Sequence, residues 1–133
     1  MDILIVNLIV LTLLPIVAKA PVASAMKKIG GGNMSGYDNK HPRLQQQELT
    51  GFGARCLAAH INSFEALIMF TPALLLVIIM GLASAHTAML VSVFTLCRVL
   101  YLAFYWADLD KLRSTVWTIG VLINLYLFIY CMG

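Results

Sequence analysis

Arg55-Cys-Leu-Ala-Ala-His-Ile-Asn-Ser-Phe-Glu65 runs without a break into Ala66-Leu-Ile-Met-Phe-Thr-Pro-Ala-Leu-Leu-Leu-Val-Ile-Ile-Met80. The second part is apolar enough for a membrane helix, which needs ~20 such residues to cross the hydrocarbon of a bilayer. The first part brings a cation, an amide and a carboxylate to the head of that helix. Ionisable groups inside spans are expensive in lipid, and they usually face a bundle interior or a wet cavity with a partner. At ~100° per residue, Asn62 lies about 20° and Glu65 about 80° from Arg55, so the three share one stripe. Fold and function both turn on what that stripe faces.

The rest of the chain agrees with a membrane setting. Of its 133 residues, 61% are hydrophobic and 11% charged, with a mean hydropathy of +0.89. A soluble domain is nearer half apolar and a quarter charged. The length suits one all-α domain over residues 1–133, a four-helix membrane bundle with spans near 3–26, 51–80, 87–106 and 112–131. The first of these could pass for a secretory signal, with Ala23-Ser-Ala25 as a cleavage site. Asp2 and the lack of any Lys or Arg before Lys19 argue instead for a retained helix, since a signal wants a basic leading region. Pro15 and Pro72 are expected to kink their helices. Between the first two spans lie a basic, glycine-rich break at 27–36, a polar turn-like segment at 37–43 and further polar residues at 44–50.

The net charge of +3 is not a nucleic-acid signature, because no basic cluster interleaved with aromatics is present. Its distribution reads as topology. Lys19, Lys27, Lys28, Lys40, Arg43 and Arg55 gather between the first two spans, and Lys111 and Arg113 between the last two. The positive-inside rule then places both basic connections in the cytoplasm and both termini outside it. Cys56, Cys97 and Cys131 sit in apolar segments with no C-x-x-C or Cys/His pairing, so they read as buried fillers. His41, His60 and His86 have no metal-ligand spacing, and no metal site is expected. The glycines at 30–32 do not form a phosphate-cradling pattern.

With that topology, polar residues from three spans converge near one face. The third span carries Arg98, Tyr101 and Tyr105 on one stripe, with Arg98 near the depth of Asn62 and Glu65. The fourth begins Arg113-Ser114, with Trp117, Gly120 and Asn124 following on the side of Arg113. One reading is structural: Glu65 pairs with Arg98, Asn62 and Asn124 bond between helices, and Arg55 and Arg113 snorkel. The other starts from the excess of cation, three arginines against one carboxylate. Guanidinium binds carboxylates bidentately, so such a pocket suits an anionic ligand. His60 lies ~140° from Arg55, off the stripe, and reads as a packing or intersubunit residue. A small multidrug exporter would also have four spans and an intramembrane glutamate, but three arginines make a poor site for a cationic drug.

Arg55…Asn62-x-x-Glu65, then Arg98-x-x-Tyr101-x-x-x-Tyr105, then Arg113-Ser114 resemble the MAPEG family, the membrane-associated proteins of eicosanoid and glutathione metabolism. Tyr37-Asp-Asn-Lys-His-Pro-Arg43 and Ala59-His-Ile-Asn-Ser-Phe-Glu-Ala66 look like its bacterial branch, which would place the chain in a bacterial inner membrane. The resemblance implies a homotrimer with glutathione as co-substrate, bound between subunits near the cytoplasmic face. It implies that Arg55, Asn62, Glu65, Arg98, Tyr101 and Tyr105 bind glutathione, that Arg113 stabilises its thiolate and that Ser114 donates to the sulfur. The reaction implied is transferase or peroxidase chemistry on a lipophilic electrophile or lipid peroxide. A non-enzymatic lipid-binding or scaffold protein of the same family is the alternative. The chain departs from prostaglandin E synthase-type members at Ile61, where they carry arginine, and at Trp117, where a tyrosine is expected.

Overall fold

The computed structural model describes residues 2–133 and is all-helical: α1 Asp2–Ile29, α2 Pro42–Gln47, α3 Gly51–Ile79, α4 Ala85–Trp106 and α5 Asp110–Tyr130. Of these, α1, α3, α4 and α5 are each long and apolar enough to cross a membrane. The turns at 80–84 and 107–109 are short, so α3, α4 and α5 follow one another as antiparallel neighbours. The loop at 30–50 and the turn at 107–109 therefore lie at one end, called here the loop face.

α1 buries Leu4, Asn7, Leu11, Leu14, Ala18, Val22 and Met26, a spacing of three and four that makes one continuous inner stripe. Two prolines, Pro15 and Pro21, lie inside it. Each removes a backbone donor, a defect that a bundle tolerates because neighbouring helices re-satisfy freed groups. α4 starts at a capping box in which Ser84 Oγ accepts from the Thr87 amide and Thr87 Oγ1 accepts from the Ser84 amide. That cap starts the helix two residues before the expected 87, taking His86 into its first turn.

The loop is more structured than its sequence announces. The segment read as turn and polar connection contains α2, a six-residue helix opened by Pro42. Its Gln45 is 5% exposed and makes four hydrogen bonds. Nε2 donates to the carbonyls of Met26, Gly30 and Gly36, and Oε1 accepts from the Asp38 amide. Gly36 holds a φ of +94°, and a Cβ there would lie 2.6 Å from the Lys27 carbonyl oxygen. Only glycine fits both demands. Asp38 caps the next turn: its Oδ1 accepts from the amides of His41 and Lys40, which hold its carboxyl below the usual range.

Packing differs between the two ends. Away from the loops, Leu4, Leu11, Phe70, Leu74, Val77, Val91, Phe94 and Leu127 form one cluster joining all four spans. Phe70 and Phe94 stack at its centre, 3.8 Å between ring centroids and 8° apart. Toward the loop face the core divides into three smaller clusters, around Ala59 and Leu102, around Met26 and Cys56, and around Tyr101 and Val116. Cys56, Cys97 and Cys131 are free and buried.

Candidate functional site

Most of the polar residues lie in the loop-face half, while Asn124, six residues from the far end of α5 and bonded to the Met69 carbonyl, lies at the level of the phenylalanine stack. Arg98 lies about 12 Å inside the end of α4 and Asn62 about 16 Å inside the start of α3, at ~1.5 Å per residue. Arg98 is 3% exposed. One of its terminal nitrogens donates to Asn62 Oδ1, and Asn62 Nδ2 donates to Glu65 Oε2 at 2.7 Å. The amide thus stands between guanidinium and carboxylate, oxygen toward the cation and nitrogen toward the anion. Among the described residues Glu65 has no ion pair within 4.0 Å. The direct Glu65–Arg98 pair of the structural reading is therefore replaced by a relay through Asn62.

The relay leaves Arg98 under-used. Its Nε is buried with no hydrogen-bond partner, as is Oδ1 of Asn124. Asn62, Glu65, Arg98 and Asn124 line a cavity of about 310 Å³ between α3, α4 and α5, with Phe94 and Met69 deeper and Trp117 and Gly120 across it. Asn124 is 5% exposed, and its amide spans to α3 by donating to the Met69 carbonyl at 3.3 Å. Phe94 lies 3.5 Å from where a Cβ on Gly120 would stand, so glycine keeps this wall low.

A ladder of cations and rings leads from this cavity toward the loop face. The Arg98 guanidinium lies 4.3 Å from the Tyr101 ring centroid, and Tyr101 meets Tyr105 edge-on at 5.5 Å. Tyr105 in turn lies 4.3 Å beneath the Arg113 guanidinium. A cation over a ring is stabilised by ~0.5–2 kcal/mol, the larger value when water is excluded. Neither tyrosine hydroxyl is bonded within the described chain, so both remain available as donors. Tyr101, Tyr105, Arg113, Ser114 and Trp117 line a second cavity of about 360 Å³, and Trp117 is the wall shared with the first.

Arg55 is not brought to this group. Its guanidinium lies 3.3 Å from Asp108 in the turn between α4 and α5, and it lines neither cavity. The helical wheel places it correctly on the α3 stripe but gives no information about partners; Asp108, at φ +63°, turns back toward α3 and takes it. His60 lies off the site: its Nδ1 is 2.9 Å from the Pro15 carbonyl oxygen and so carries the proton, and its ring meets Phe64 edge-on. Ile61 is exposed beside Glu65 and brings no charge to the site.

These features define a class, an integral, multi-pass protein of four spanning helices with polar and cationic groups converging in one half of the bundle. Within that class the family is clear. The model of the MAPEG family matches residues 3–133, nearly the whole chain, and the protein belongs to it. No curated protein and no solved structure matches the chain.

Proposed function

We propose that this protein is a glutathione-dependent membrane transferase or peroxidase acting on lipophilic electrophiles or lipid peroxides. The observation that carries the reading is the ladder from Arg98 through Tyr101 and Tyr105 to Arg113, with a cavity at each end. Glutathione carries two carboxylates, amide groups and a thiol, and the residues present match each. Arg98 has an unused buried donor for a carboxylate, and the tyrosine hydroxyls donate to carbonyls or carboxylate. Asn62 and Glu65 fix the peptide, with the Glu65 carboxylate facing the ammonium group.

Arg113 and Ser114 then act on the sulfur. The thiolate is the nucleophile, and a guanidinium and a hydroxyl beside it favour the ionised form over the thiol. In transfer, the thiolate forms a bond to an electrophilic carbon, and the displaced electron pair leaves with its group. In peroxide reduction, two glutathione thiols become a disulfide while the hydroperoxide becomes an alcohol and water. Arg55, held by Asp108, supports the fold of the loop face in this reading and steers the anionic ligand only at longer range. The active assembly is a homotrimer with the ligand between subunits and the loop face in the cytoplasm.

Purified protein in detergent tests this directly. Glutathione should bind by calorimetry, and wild type should develop a thiolate absorbance that Arg113→Ala lacks. Absence of both would end the proposal. A second reading is favoured by the apolar lining around Met69, Phe94, Trp117 and Val121: non-enzymatic binding of a lipid chain. It predicts a photoreactive lipid crosslink that glutathione does not compete and that Arg113→Ala does not alter.

A further inference from the structure

Glu65 belongs to two cavities, the one holding Arg98 and another of about 470 Å³. Two cations line the second: Lys19, from α1, and Arg43, from α2. Lys19 lies about 15 Å inside the end of α1, at ~1.5 Å per residue. A lysine at that depth in a span is costly, and such groups mark the paths and sites of ligands. Arg43 is held in place by its own helix. Gln45, two residues on, ties α2 to the carbonyls of Met26, Gly30 and Gly36. A six-residue helix with no apolar period is thus fastened over the end of α1, and Arg43 is the charge it carries to the cavity.

These charges do not neutralise one another. Among the described residues neither Lys19 nor Arg43 has a carboxylate within 4.0 Å, that of Glu65 included. Two cations and one carboxylate therefore line one space without closing on each other. A simple anion there would meet Glu65, and a simple cation would meet Lys19 and Arg43. Like charges brought together select against a partner. A zwitterion that carries ammonium and carboxylate on one carbon meets neither objection, and the α-amino-acid end of a peptide has that chemistry. Ile61, Phe64 and Ile68 add apolar surface for the methylenes beside it and bring no charge.

We propose that this cavity is the subsite for the α-amino-acid end of the thiol co-substrate, and that Lys19 and Arg43 set specificity for it. The inference rests on the glutathione reading and extends it. Glu65 takes the ammonium group. The carboxylate on the same carbon then lies toward Lys19 and Arg43, where guanidinium binds it bidentately. The other carboxylate of glutathione, at its glycine end, is left for Arg98. Lys19 and Arg43 lie outside the stripes that carry the other site residues, so the ligand is gripped by α1 and α2 as well as by α3, α4 and α5. In the proposed homotrimer a neighbouring subunit is available to enclose the open side of the cavity.

Calorimetry on the full chain in detergent tests this with three thiols. They are glutathione, glutaryl-Cys-Gly, which lacks the ammonium, and γ-aminobutyryl-Cys-Gly, which lacks the adjoining carboxylate. Wild type should bind glutathione about tenfold or more tightly than either analogue. Lys19→Gln/Arg43→Gln should weaken glutathione and the glutaryl peptide about tenfold and leave the aminobutyryl peptide unchanged. Lys27→Gln/Lys28→Gln removes the same charge from the last turn of α1 and should leave all three affinities as they are. Circular dichroism and elution volume check folding; should the first double variant misfold, Arg43→Gln alone should still weaken glutathione severalfold and spare the aminobutyryl peptide. Glutathione bound with no preference over the analogues overturns this inference and leaves the glutathione reading standing. So does a loss that falls equally on all three thiols, or an equal loss in the Lys27/Lys28 variant. No binding of glutathione by wild type ends both.

Discussion

The same spanning helices build two unlike halves. In the half away from the loops, Phe70 and Phe94 stack within one cluster that joins α1, α3, α4 and α5. In the loop-face half the apolar contacts break into three clusters, one of them built on Tyr101, and Arg98 and Asn62 are bonded to each other in the same half. One half has its side chains satisfied by each other. The other keeps buried polar atoms without partners, Nε of Arg55, Nε of Arg98 and Nε1 of Trp106, and Oδ1 of Asn124 is a fourth where the two halves meet. Unpaired buried groups cost ~1–3 kcal/mol each, so their retention points to a ligand or water as the missing partner, whereas the stacked half needs nothing more.

That contrast can be broken experimentally, starting with its strongest element. Phe70→Ala removes a fully buried ring from the stack and should cost about 3–5 kcal/mol of stability, read as loss of thermal resistance in detergent. It should leave ligand affinity changed far less than stability. Arg98→Met should do the reverse. It leaves Asn62 Oδ1 without its donor, about 1–3 kcal/mol, while removing the cation of the site. A larger stability loss for Arg98→Met than for Phe70→Ala would contradict the division into a structural half and a functional one.

Smaller effects sharpen the boundary of the site. Arg55 and Asp108 form a partly exposed pair, with side chains 29% and 67% accessible. Such pairs contribute ~0.2–1 kcal/mol and weaken with salt. Arg55→Ala should therefore lower stability slightly, and by less as salt is added. Smallest is the loop. The His41 and Lys40 amides depress the Asp38 carboxyl below its unfolded value. Its stabilisation of the turn is thus full above the ordinary carboxylate range and is lost as pH falls through the lowered value. Hydrogen exchange at the Lys40 and His41 amides should quicken at acid pH, and Asp38→Asn should remove most of that dependence.

How much of this was legible beforehand follows from what each feature depends on. The four spans depend on apolar runs, and each lies within a few residues of where those runs place it. The depth match of Arg98 with Asn62 needs only helix rise and connectivity, so it too could be read. Partners were harder. Arg55 shares the wheel stripe of Asn62 and Glu65, but its partner is a turn aspartate whose approach depends on backbone geometry at Asp108. α2 leaves no signal in the sequence because Pro-Arg-Leu-Gln-Gln-Gln has no apolar period. The role of Gln45 was invisible for a different reason, since its acceptors are backbone carbonyls at Met26, Gly30 and Gly36. The cavity at Lys19 and Arg43 depends on tertiary structure, because α1 and α2 meet there only in the folded bundle.

The central claim is that Arg98, relayed to Glu65 by Asn62, forms part of a ligand site, while Arg55 forms part of the scaffold. Glutathione titrations by calorimetry on wild type, Arg98→Met and Arg55→Ala test it most directly. A charge-assisted hydrogen bond contributes ~1.5–3 kcal/mol, so Arg98→Met should weaken binding about tenfold or more, with Arg55→Ala close to wild type. Equal affinity in all three proteins, or a greater loss at Arg55 than at Arg98, would contradict it.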